Sequence, residues 1–246
     1  MRRFFVPPEA IGDGCAVITG DLFRHMARVL RLKRGTAVIL ADGAGNEFLG
    51  TIREIGKEEL SVELEERRGT GEAPAGLTIT LYQGLPKGDK LELIVQKTTE
   101  LGVAEVIPFI ATRSISRVRH GEETDKVARW QRIALEAARQ SGRPSPPRVA
   151  LAGSLAEAVT GSRHALKLLL WEEEKANGLR DTLAGVPAPD SIAVLVGPEG
   201  GLTTGEAALA REKGFVPVSL GRRILRTETA GLATLAILQF YWGDLG

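Results

Sequence analysis

Cysteine is nearly missing from this sequence. The single Cys15 excludes an internal disulfide and any cysteine-cluster metal site. Histidine is scarce too: His25, His120 and His164 are scattered, with no H-x-x-x-H or H-E-x-x-H spacing, so no metal site is expected. No excess of either charge exists. A formal net charge of +1 removes any global field that would mark a nucleic-acid binder, so such a signal must be local. Long apolar runs are absent as well. Nothing approaches the ~18 consecutive apolar residues of a membrane span. The N-terminus, MRRFFVPPEAIGDG, carries no apolar signal segment. A cytoplasmic protein without a membrane partner is expected.

What is present is an ordinary globular composition, 43% hydrophobic and 26% charged over 246 residues, enough for one large or two small domains. Residues 1–68 read as a β-rich unit. Arg2–Val6 is a short strand ending at Pro7-Pro8, and Asp21 is placed to cap a short helix through Leu30. Strands follow at Ala37–Ala41, Glu47–Ile55 and Glu59–Glu66, separated by the Asp42-Gly43 and Gly56-Lys57 turns. The last of them alternates apolar and acidic residues, as a half-buried strand does. Short strands closed by turn dipeptides indicate a small barrel.

Gly69–Gly76 (GTGEAPAG) has no apolar run and is the linker candidate, giving domains at 1–70 and 77–246 joined by 71–76. Beyond it strands and helices alternate. Strands are expected at Leu77–Gln83, Glu105–Ile110, Arg148–Leu151, Leu166–Trp171, Ile192–Val196 and Val216–Leu220. Helices are expected at Gly88–Leu101, Thr124–Ser141, Leu155–Val159, Gly178–Leu183, Gly205–Lys213 and Glu228–Trp242. The alternation implies an α/β fold with a mostly parallel sheet and helices on both faces. There is no internal repeat or low-complexity segment.

Three constellations could carry chemistry. In the first, two of the strands run into glycine-marked loops, Gly197-Pro198-Glu199-Gly200-Gly201 and Gly221-Arg222-Arg223-Ile224-Leu225-Arg226, the second leading into a helix opened by Thr227. Glycine admits close approach of backbone to a ligand, and open α/β sheets bind ligands at the carboxyl ends of their strands. No Lys-Ser/Thr follows the glycines and G-x-G-x-x-G is absent, so phosphate-loop and dinucleotide readings fail. A cofactor pocket or plain tight turns remain. The second constellation is basic: Arg24–Arg34 holds five Lys/Arg and no acid, and Arg113–Arg148 nine against four Asp/Glu. These are solvated helix faces or local patches for RNA phosphates. Phe4 and Phe5, beside Arg2 and Arg3, either stack on bases or fill the barrel. In the third, Glu136, Gln140 and Arg143 converge at a helix end, where they could read a base edge. Arg132 and Glu136 could equally be an ordinary i,i+4 pair.

Taken together these strings resemble a known family. Val196–Gly201, Ser219–Ala230, LPKGDK at 85–90, QKTTELG at 96–102, EAARQSGR at 136–143 and HMARVLR at 25–31 are similar, in order, to the bacterial 16S ribosomal RNA uracil-N3 methyltransferases of the SPOUT superfamily. The resemblance covers nearly the whole chain. It implies a PUA-like β-barrel followed by a SPOUT α/β domain with a C-terminal trefoil knot, a topology otherwise almost absent from proteins. It also implies S-adenosylmethionine as cofactor, 16S ribosomal RNA of the small subunit as partner, and a homodimer.

Carried over by motif, the cofactor walls are Leu170, Trp171 and Glu172, then Val196, Gly197, Pro198, Glu199, Gly200 and Gly201. Ser219, Leu220, Gly221, Ile224 and Leu225 form the other side, with Thr229 and Ala230 completing it. RNA-facing candidates are Arg3, His25, Arg28, Arg31, Lys87, Lys97, Arg113, Gln140 and Arg223. Uracil N3 carries a proton at neutral pH, so cations that stabilise the anion, or a base, lower the barrier. Arg226 and Arg143 are expected to supply charge, Glu136 or Glu228 to accept the proton, and Glu199 to attract the sulfonium. The competing readings are methylation of another RNA such as tRNA, a non-catalytic RNA-binding or ribosome-assembly protein, and a nucleotide-binding α/β protein. The missing phosphate-loop lysine disfavours the last.

Overall fold

The structure, a computed structural model, describes residues 1–43, 45–68, 76–116, 118 and 121–245. The expected linker at 71–76 lies outside them apart from Gly76, and so do Arg117, Arg119 and His120. The backbone groups into two units: Met1–Ala75 with Ala138–Pro146, and Gly76–Ala137 with Pro147–Gly246.

The first unit contains β1 (Arg2–Phe5), β2 (Cys15–Thr19), a short α1 (Gly20–Arg24), β3 (Ala37–Ala41), β4 (Glu47–Ile55) and β5 (Glu59–Arg68). Its sheet runs β1-β3-β4-β5-β2, with β1 parallel to β3 and every other pair antiparallel. The alternation in β5 works as read: Leu60 and Val62 are buried while Glu63 and Glu65 face water. β2, which the sequence reading missed, alternates the same way, with Ala16 and Ile18 inside. Phe4 and Phe5 are both buried, and the Arg139 guanidinium lies 5.9 Å from the centre of the Phe5 ring. Their part is core, not base stacking.

The expected helix from Asp21 to Leu30 is corrected at both ends. Thr19, in extended backbone, holds the cap position, and Asp21 already lies in the first turn, where its carboxylate takes the Arg24 guanidinium. After Arg24 the helix widens to a π-turn over His25–Val29, closed by Leu30 N–H donating to the His25 carbonyl at 2.9 Å. Arg31 follows at φ 51°. Such π-turns recur at functional sites.

The second unit holds β6 (Thr78–Gly84), α2 (Lys90–Glu100), β7 (Glu105–Phe109), α3 (Glu123–Ser141), β8 (Arg148–Val149) and α4 (Leu155–Thr160). It continues with β9 (Leu166–Leu170), α5 (Leu179–Ala184), β10 (Ser191–Val196), α6 (Thr204–Glu212), β11 (Val216–Val218) and α7 (Thr227–Trp242). The last turn of α3 groups with the first unit. The sheet order is β11-β9-β10-β6-β7-β8, parallel throughout. Successive residues of β10 serve opposite faces. Ile192, Val194 and Val196 join a core with Leu91 and Ile94 of α2 and Leu235 and Leu238 of α7. Ala193 and Leu195 join a second core with Leu155 of α4 and Ala207 and Ala210 of α6. Because both faces are covered, the central strands read as continuous apolar runs. All six strands point the same way, so the carboxyl ends of β6, β9 and β10 open at one edge of the sheet.

Candidate cofactor site

At that edge β10 runs into the first glycine loop and β11 into the second. Close packing fixes the first loop from below. A Cβ on Gly84, the last residue of β6, would lie 2.5 Å from Pro198 Cδ, so only glycine lets the strand end pass under the loop. Gly201 takes φ +68°, and a side chain there would collide with Glu172.

A buried polar relay joins the loop to α7. Gln83, fully buried, donates from Nε2 to Thr227 Oγ1 at 2.8 Å, and the Thr227 hydroxyl donates to the Gly197 carbonyl at 2.6 Å. Thr227 is the first residue of α7, so one hydroxyl sets the distance between loop and helix. On the outer side Arg113 Nη1 donates to the carbonyls of Gly200 and Leu202 at 3.2 and 3.3 Å. Thr203 and Glu206 then form a reciprocal cap that starts α6.

The two loops enclose a cavity of about 380 Å³. Leu170, Trp171 and Glu172 close it at the end of β9. Val196 to Glu199 and Gly201 line it from the first loop; Val218 to Gly221 and Arg223 to Thr227 from the second, with Ala230 of α7 behind. Of the anticipated cofactor residues, Gly200 and Thr229 are not in this lining. Gly200 turns toward Arg113, and Thr229 is exposed on the first turn of α7. The walls fit a nucleoside-sized ligand, combining apolar side chains with a few polar groups. One such group is unspent: the Trp171 Nε1 atom is buried with no hydrogen-bond partner.

Charge gathers at one rim. Lys90, the first residue of α2, places Nζ 2.9 Å from Glu199 Oε1 and 3.3 Å from Glu228 Oε2. The Glu199 carboxylate also accepts the Lys87 backbone N–H at 3.2 Å. Burial opposes its ionisation, yet the hydrogen bonds from Lys90 and from backbone N–H groups win and hold this carboxyl below its ordinary value. The same contact with Glu199, and then that with Glu228, raises the Lys90 ammonium above its usual range. Arg226 Nη1 stands 4.0 Å from Glu228 Oε1.

The other anticipated residues are dispersed. Glu136 is exposed on α3, and neither it nor Arg143 lines the cavity. His25, Arg28 and Arg31 are exposed on and after the π-turn, Lys87 and Gln140 are exposed, and Arg223 lines the cavity. Arg3 pairs with Glu47 at 2.9 Å and donates to the Gly142 carbonyl; Lys97 pairs with Glu100 at 2.8 Å. Lys90, Gln83 and Thr227 escaped the sequence reading as site residues. Gln83 left one signal: it is an amide at the end of an apolar strand, followed directly by glycine. Among the described residues no group of three or more His, Cys, Asp or Glu is placed to hold a metal. No described helix is long and apolar enough to cross a membrane.

A family model described as an RNA methyltransferase domain matches residues 73–239, and one described as an RNA methyltransferase PUA domain matches residues 18–65. Fold and site therefore define an RNA methyltransferase. Ribosomal RNA small subunit methyltransferase E of Bacillus subtilis is 34% identical over 249 residues, which cover 98% of this chain and 96% of that protein. Its namesake in Synechocystis is 36% identical over 95% of this chain and 76% of its own length. The crystal structure of ribosomal RNA small subunit methyltransferase E from Neisseria gonorrhoeae bound to S-adenosylmethionine matches with a TM-score of 0.86 at 34% identity, covering 100% of both chains. The chain belongs to the ribosomal RNA small subunit methyltransferase E family.

Proposed function

We propose that the chain transfers a methyl group from S-adenosylmethionine to N3 of a specific uridine in the 16S ribosomal RNA of the small subunit, acting as a cytoplasmic homodimer. The observation that carries this reading is the single cavity walled by both glycine loops. The relative solved with S-adenosylmethionine supports the choice of cofactor. When bound, that cofactor supplies a methyl group made electrophilic by its sulfonium, so the protein's work is alignment and charge management. Backbone groups of the two loops, with Leu220, Ile224 and Leu225, would hold the adenine. The unspent Trp171 indole N–H is a further donor in the same wall. Arg226, exposed at the rim, stabilises negative charge developing on the uracil oxygens.

The exposed His25, Arg28, Arg31, Lys87 and Arg223 contact ribosomal RNA in this reading. Dimerisation is supported by α7, which leaves Ile237, Phe240 and Tyr241 42%, 69% and 50% exposed. The test is transfer of label from methyl-labelled S-adenosylmethionine to small-subunit ribosomal RNA, with tRNA alongside. Label on the ribosomal RNA alone is expected. Label on tRNA alone, or on neither, overturns the proposal.

A further inference from the structure

The carboxylates near the cavity are not equivalent. Glu199 already accepts two backbone and side-chain donors, Lys87 N–H and Lys90 Nζ, and ties the first loop to the start of α2. Glu172 is exposed at the far wall, at the end of β9. Glu228 differs from both. It is the second residue of α7, its side chain is 14% exposed, and its Oε2 is buried. Cations flank it on two sides, Lys90 Nζ at 3.3 Å from Oε2 and Arg226 Nη1 at 4.0 Å from Oε1, and both cations line the cavity.

That arrangement suits a proton acceptor. A largely buried carboxylate set between two cations of the cavity wall is an ionised group placed beside the reacting base. Its ionised form is held by the two cations and by the start of α7. If it takes a proton from a uracil at the cavity, the negative charge moves to the ring. Arg226, no longer opposed by the Glu228 charge, and Lys90, still held by Glu199, then face that charge. Neither Glu228 nor Glu136 lines the cavity itself, but Glu228 sits between two cations that do, whereas Glu136 is exposed on α3.

Resting on the uracil-N3 reading above, we propose that Glu228 is the proton acceptor of the transfer and that Lys90 is its positioning residue. The N3–H bond breaks and its proton goes to the Glu228 carboxylate. The N3 electron pair forms the bond to the methyl carbon. The methyl–sulfur bond breaks, its electron pair stays on sulfur, and the proton later leaves Glu228 for water.

The experiment measures single-turnover methylation of small-subunit ribosomal RNA containing either uridine or 5-fluorouridine, whose N3 proton is more acidic. Cofactor affinity is measured in parallel. Glu228→Gln is expected to lose about a hundredfold or more in rate on uridine, within the range for a general base, with cofactor affinity unchanged. On 5-fluorouridine it should recover about tenfold or more, whereas the unmodified protein should change little. Lys90→Met should lose about tenfold with partial 5-fluorouridine rescue, and Lys90→Arg should restore the rate. This second pair decides the matter if Glu228→Gln does not fold. Three results overturn the proposal: Glu228→Gln within about threefold of the unmodified rate, no 5-fluorouridine rescue with cofactor binding intact, or rescue in Glu172→Gln instead. If the unmodified protein makes no 3-methyluridine at all, the uracil-N3 reading itself fails. If it does and the variants behave otherwise, only the role of Glu228 falls.

Discussion

Replacing Thr227 by valine keeps the shape of the side chain and deletes one hydroxyl, which makes it a clean probe of how the cofactor walls are held. The hydroxyl accepts from Gln83 Nε2 at 2.8 Å and donates to the Gly197 carbonyl at 2.6 Å, with Thr227 only 7% and Gln83 0% exposed. Two hydrogen bonds vanish, each contributing about 0.5–1 kcal/mol net. The Gly197 carbonyl keeps only Gln83 Nε2 at 3.5 Å, a poor contact. Leaving buried polar groups short of partners costs about 1–2 kcal/mol more. The expected loss is therefore about 2–4 kcal/mol. For a chain of this size that lowers the melting temperature by roughly 4–16 °C, at about 2–4 °C per kcal/mol. The assay is a thermal melt with and without S-adenosylmethionine, alongside direct titration of the cofactor. Thr227→Val should melt earlier and bind the cofactor more weakly, because the relay spaces the first loop from α7. Thr227→Ser should return both toward normal. If Thr227→Val melted within a degree or so of the unmodified protein and bound the cofactor equally well, the relay would not position the loop.

Other predictions rest on separate parts of the fold. Gly84→Ala would bring a methyl to 2.5 Å from Pro198, whose ring and backbone must shift; overpacking of about 1–3 kcal/mol should appear as cofactor affinity about tenfold weaker, read by titration. Cofactor at about 100 times its dissociation constant should stabilise the protein by about 2.7 kcal/mol, seen as a rise in melting temperature. His164 bonds to Ser162 and Thr80 at 3.0 and 2.9 Å, and burial, then the Lys167 charge, lower its pKa from 6.5. The unfolded chain thus takes up the proton first as pH falls. Stability should be full above pH 6.5, fall as pH drops through 6.5 toward the folded value, and level off below it. Urea melts between about pH 5 and 8 should show that slope, and His164→Gln should remove it.

Much of the fold was legible because periodicity reports burial. β5 shows its inward Leu60 and Val62 directly, and β10 its unbroken apolar run. β2 was missed because Cys15 to Thr19 is short and follows a glycine-rich stretch that looks like loop. The widening at His25–Val29 was invisible because a π-turn has no periodic signature over five residues. The glycine loops of the site could be read, since backbone approach needs glycine wherever it occurs. That both loops wall one cavity could not be read from spacing and came only through family resemblance. Lys90 was hidden for a different reason. A lysine opening an amphipathic helix looks like surface, and only the fold brings Glu199 and Glu228 to it across 109 and 138 residues of chain.

The two-loop cavity is proposed to serve methyl transfer to the N3 position of one ribosomal uridine. Small-subunit ribosomal RNA lacking the modification, treated with the purified protein and S-adenosylmethionine and digested to nucleosides, tests it by mass spectrometry. One new methyl group per RNA, recovered as 3-methyluridine, is expected. A methyl group on the ribose, on C5 of the base or on another nucleoside, or none at all, would contradict it.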